Sequence, residues 1–70
     1  MSANNFILIE KVKDKFVITH RDYDTGRVLD KLGSVKNAES ALLEANKFIG
    51  KMNNEGMSVE YGIEFSAGKK

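Results

Sequence analysis

Apolar residues fall along the chain in two different periods. Phe6-Ile7-Leu8-Ile9 opens a stretch to about Val12 rich in β-branched and aromatic residues, which predicts a first strand. After Lys13-Asp14-Lys15 a second strand is expected from Phe16 to Tyr23, antiparallel to the first because the turn is short. Tyr23-Asp24-Thr25-Gly26-Arg27 reads as a three-residue hairpin loop, with Gly26 supplying the left-handed conformation, and Arg27 to Leu32 returns as a third strand.

The period then changes. Ser34 offers an N-cap hydroxyl, and Val35, Ala38, Leu42, Ala45, Ile49 and Met52 recur at three- and four-residue intervals, with Ala41 and Phe48 widening the stripe. This predicts a helix that frays from Gly50 and ends at Asn53-Asn54-Glu55-Gly56. Leu43 falls on its polar side, where an isolated leucine is ordinary or touches a partner. Alternation returns from Ser58 to Phe65, with Val59, Tyr61, Ile63 and Phe65 on one side of a fourth strand.

The order βββαβ predicts an α+β domain. Its mostly antiparallel four-stranded sheet has the spatial order 3-2-1-4, with one helix packed on one face. No repeat, low-complexity run or proline divides the chain, so residues 1–70 make a single domain, ordered over about 6–65, with a flexible tail at 66–70.

One helix leaves one sheet face open. Pairing Tyr23 with Arg27 places His20 across from Asp30 and Ile18 across from Leu32. The helix-covered face then collects Phe16, Ile18, His20, Asp22, Val28, Asp30 and Leu32, with Leu8 and Val12 from the first strand and the apolar row of the fourth. The open face collects Val17, Thr19, Arg21, Tyr23, Arg27, Leu29 and Lys31, with Ile7, Ile9 and Lys11. A two-residue turn at Thr25-Gly26 would shift this register by one.

Three readings of that face stand open. Lys11, Arg21, Arg27 and Lys31 could meet nucleic-acid phosphates while Tyr23 stacks on a base. Ile7, Ile9, Val17 and Leu29 could form a homodimer or other protein-binding patch. Alternatively, Lys and Arg stems shield a few strand aliphatics and nothing binds.

Composition narrows the chemistry. A 70-residue domain buries only about 60% of its unfolded surface. It holds no cysteine, which excludes disulfides, thiolate nucleophiles and cysteine metal sites. Eleven Lys/Arg against ten Asp/Glu leave +1, too little to mark a nucleic-acid binder by net charge. The four-residue apolar run at 6–9 is too short for a signal core or a membrane span, so a cytoplasmic protein without a membrane partner is expected.

His20 is the single histidine. Set against Asp30 and Asp22 it could orient for base catalysis or ligate a metal, but a strand-end histidine hydrogen-bonded to an acid is the simpler reading. Glu60 and Glu64 are simply solvated or paired with Lys11, and the glycines form no phosphate loop. No catalytic residue, metal site, cofactor or small-molecule substrate is expected. The function read from the sequence is a non-catalytic interaction module, with nucleic acid ahead of a homodimeric or protein-binding regulator.

The stretch Lys15-Phe16-Val17-Ile18-Thr19-His20-Arg21-Asp22-Tyr23-Asp24-Thr25-Gly26-Arg27-Val28, followed by Lys36-Asn37-Ala38-Glu39-Ser40-Ala41-Leu42, resembles the arm-type DNA-binding domain of tyrosine-recombinase integrases. In that family a three-stranded sheet backed by a helix lays its open face in the DNA major groove. The resemblance covers about 40 of the 70 residues. It implies that Arg21, Tyr23, Arg27 and Lys31 face DNA. The strand 59–65 departs from the family pattern.

Overall fold

A computed structural model of the chain describes residues 4–66. Its elements run β1 (Asn5–Val12), β2 (Lys15–Asp22), β3 (Val28–Val35), α1 (Ala38–Asn54) and β4 (Ile63–Ser66). They form one four-stranded sheet in the order β3-β2-β1-β4, with β4 parallel to β1 and the other pairs antiparallel. This is the α+β architecture and strand order that the periodicity predicts. Ser66, expected in the tail, is the last residue of β4, and the remainder of the expected tail, 67–70, lies outside the described residues.

The β1–β2 turn decides which side chains are buried. Val12 pairs with Lys15, so the loop is only Lys13-Asp14, and Lys13 takes the left-handed conformation at φ 60°. A loop of Lys13-Asp14-Lys15 would have set Val12 against Phe16. With one residue fewer, Ile9 stands opposite Ile18 and Ile7 opposite His20. A one-residue shift exchanges the two faces of a strand.

Ile7 and Ile9, expected on the open face, are therefore fully buried beneath the helix with Ile18, Ala41 and Ala45. Lys11 shares their face of β1, at its exposed end, while Leu8 and Val12 point to the other side.

Helix α1 starts later than the stripe suggests, because β3 continues through Val35, which pairs with Phe16 and packs on the core. Ser34 is a strand residue, and Asn37 is the N-cap, its Oδ1 accepting from the Ser40 amide at 2.7 Å. Ala41 and Ala45 hold the centre of the buried stripe, where their small side chains let the helix approach the isoleucines; Phe48, Ile49 and Met52 extend it. Leu42 lies at the margin, 40% exposed, and Leu43 is 61% exposed. Gly56, at φ 81°, terminates the helix: its amide reaches Asn53 O and the Met57 amide reaches Met52 O, a Schellman closure.

Strand β4 is half the expected length. Gly62 at φ 73° turns the chain immediately before Ile63, so the alternation at Val59 and Tyr61 comes from a turn rather than a ladder. Val59 packs toward the core, and the Tyr61 amide donates to Asn5 O.

Candidate interaction face

The observed register groups the open-face side chains into cross-strand rows. At one end Phe6, Arg21 and Val28 align. Next comes Glu64–Leu8–Thr19–Lys31, then Ser66–Glu10–Val17–Ser34, and finally Val12 beside Lys15. Among the described residues no helix covers this face, since α1 packs on the other; loop residues reach it only at the Phe6 end. Its charges are three cations, Lys15, Arg21 and Lys31, and two carboxylates, Glu10 and Glu64.

Arg21 is held down rather than free. Its Nε donates to Thr19 Oγ1 at 3.0 Å, its Nη1 to Gly26 O at 3.1 Å, and its Nη2 lies 3.9 Å from Glu10 Oε1. Lying across Thr19, it leaves that residue buried on the face away from the helix. The planar guanidinium can satisfy all three oxygens at once because its donors form a rigid fork.

At the same end, three rings meet. Phe6 lies edge-on to Tyr23 at a centroid distance of 5.6 Å, and Tyr23 stacks on Tyr61 at 4.0 Å and 18°. Phe6 is buried by this contact, while both tyrosines keep nearly half their surface in solvent. Phe6, Tyr61 and Glu10 escaped the sequence reading of the face, whereas Glu64 falls on the side of the fourth strand expected there. Counting the first turn as two residues would have placed Phe6 and Glu10 there.

The expected β2–β3 register holds at Thr19–Lys31 and His20–Asp30 and fails on either side. Four residues, rather than three, separate the hydrogen-bonded pair that closes the β2–β3 turn, since the Asp22 amide donates to Arg27 O and the Gly26 amide to Asp22 O. Asp22 Oδ2 accepts from the Thr25 amide and hydroxyl at 2.9 and 2.8 Å, and these bonds hold the Asp22 carboxyl below the usual carboxylate range. Arg27 consequently stands opposite Asp22, one residue out of step with Arg21, and Tyr23 leaves the ladder for the aromatic cluster.

Register shifts at Ile18/Thr19 and His20/Arg21 make Leu32 and Leu29 the extra residues of β3. Val28 is thereby brought opposite Arg21 on the open face instead of the core face. Leu29, 55% exposed, lies on the helix side in a cleft of about 350 Å³ shared with Phe48, Met52 and Met57. Of the proposed self-association residues Ile7, Ile9, Val17 and Leu29, only Val17 is on the open face. Of the proposed nucleic-acid residues, Arg21 and Lys31 are on it and Tyr23 borders it; Lys11 and Arg27 are not.

His20 makes its side-chain hydrogen bond to an amide, not an acid. Its Nε2 lies 3.1 Å from Asn5 Oδ1, and its ring packs against Phe48 at 5.0 Å. That oxygen can only accept, so Nε2 carries the proton. Burial lowers the imidazole pKa and outweighs the opposing charge of Asp30 across the ladder. Among the described residues no three His, Asp or Glu side chains gather where a metal ion could be held, and no helix is long and apolar enough to cross a membrane. No protein-family model, curated protein or solved structure matches the chain.

Proposed function

We propose that this protein is a non-catalytic interaction module whose working surface is the uncovered sheet face, and that the face engages protein rather than nucleic acid. The observation that carries the reading is the mixture on that face: Phe6, Leu8, Val17 and Val28 share it with charges of both signs. A nucleic-acid platform gains affinity by neutralising phosphates with cations, and each carboxylate opposes that gain. Here Glu10 engages Arg21, and Glu64 flanks Leu8. Protein interfaces combine an apolar centre with charges of both signs, which set orientation.

Two measurements test the reading. Fluorescence anisotropy with a labelled 20-nucleotide single strand and a 20-base-pair duplex should show no binding tighter than about 100 µM at physiological salt. Micromolar binding that falls steeply with salt and is lost in Lys31→Glu would assign the face to nucleic acid instead. In urea denaturation, Val17→Glu should cost less than about 1 kcal/mol, as expected for a surface the fold does not need. A loss of several kcal/mol would make this surface part of the core.

A further inference from the structure

The arrangement of charge on the open face selects its partner. In the row Glu64–Leu8–Thr19–Lys31 the anion stands on β4, at one edge of the sheet, and the cation on β3, at the other. We infer that the occupant of this face is a second copy of the same chain, stacked face to face about a two-fold axis that runs along the strands midway between β1 and β2. The inference rests on the protein-binding reading of the face and names its partner.

Such an axis lays β4 of one copy over β3 of the other. Each row then meets its own copy in reverse order. Glu64 faces the partner's Lys31 and Lys31 the partner's Glu64. Leu8 meets the stem of the partner's Arg21 where it lies over Thr19, while Phe6, buried against Tyr23, stays within its own copy. The contact is isologous, the closed form typical of homodimers. A two-fold axis perpendicular to the strands would instead set β3 over β3 and β4 over β4, separating the opposite charges. Twisted sheets stack with their strands nearly aligned, which both axes provide, so the charges alone decide between them.

The area is sufficient for a weak dimer. Three strands of eight residues and one of four present about 450 Å² per copy, at roughly 16 Å² of sheet per residue. The two faces together present about 900 Å², just under the roughly 1,000 Å² at which specific interfaces begin, which fits a weak, reversible dimer. Edge-to-edge pairing through β3 is the poorer alternative, because its two register shifts interrupt the outer ladder.

Sedimentation velocity from 5 to 500 µM tests the inference, with circular dichroism as the check on folding. The natural chain should dimerise, and Glu64→Lys or Lys31→Glu should each weaken the dimer about tenfold, because either change turns both symmetry-related attractions into repulsions. The double exchange, Glu64→Lys with Lys31→Glu, should restore it. A monomer throughout the range would overturn the second copy as occupant while leaving the face as a site for a different protein. A dimer indifferent to all three variants would overturn the axis. Micromolar nucleic-acid binding in the anisotropy assay would overturn the protein-binding reading itself.

Discussion

Replacing Ile9 and Leu8 in turn tests the register on which the whole assignment of faces depends. The two residues are neighbours of similar size, yet Ile9 is fully buried among Ile18, Ala41 and Ala45 and Leu8 is partly exposed on the open face. Ile9→Ala removes three buried carbons, at about 0.8 kcal/mol each. The cavity left between sheet and helix raises the cost to about 3–4 kcal/mol. A domain this small has roughly 4–10 kcal/mol in total, so the loss is a large fraction of it. At about 6 °C per kcal/mol the melting temperature should fall by about 20 °C. Leu8→Ala, where solvent can occupy the vacated space, should cost about 1 kcal/mol or less. Urea and thermal unfolding followed by circular dichroism measure both. Equal losses, or a greater loss at Leu8, would mean that β1 presents its other face to the helix and would refute the two-residue turn.

The remaining predictions concern the turn and the buried histidine. Lys13 occupies a left-handed conformation that costs a side-chain-bearing residue about 1 kcal/mol or more, so Lys13→Gly should raise stability by about 0.5–1 kcal/mol despite the looser unfolded chain; a loss in urea denaturation would contradict that geometry. His20 has a pKa below its ordinary value near 6.5, so the unfolded chain takes up the proton first as pH falls. Its contribution is complete above about pH 6.5 and is lost as pH falls below that value toward the folded pKa. The ring titration measured by NMR should show a midpoint below 6.5, and His20→Gln should flatten the stability profile between pH 7 and 5; a midpoint above 6.5 would show that Asp30 outweighs burial.

Much of the fold was legible because periodicity is a local property. Residues 5–12, 15–22 and 28–35 are rich in β-branched and aromatic residues, and the run from Ala41 to Met52 keeps helical spacing. Boundaries failed where one residue could serve either neighbouring element. Val35 fits a helical stripe and a strand equally well, and its contact with the core settled it in β3. Tyr61 alternates with Ile63 as a strand residue would, yet Gly62 turns the chain between them and the ring stacks on Tyr23. The candidate face was less legible than the fold. Lys13 carries no sign of left-handed geometry, and its single-residue effect on the turn moved Ile7 and Ile9 into the core and Glu10 onto the face.

The sequence by itself determined the elements, their order and the sheet they build, since strand and helix periods and the topology of short connections depend on neighbouring residues. Only the tertiary structure decided which side of that sheet meets the helix. With apolar residues at 6, 7, 8 and 9, both faces of β1 are hydrophobic, and pattern alone cannot rank them. The choice fell to the length of a turn and to the fit of Ala41 and Ala45 over Ile7, Ile9 and Ile18. That choice left Leu8 and Val17 outward between Glu64 on one edge and Lys31 on the other, the arrangement from which a second copy is inferred.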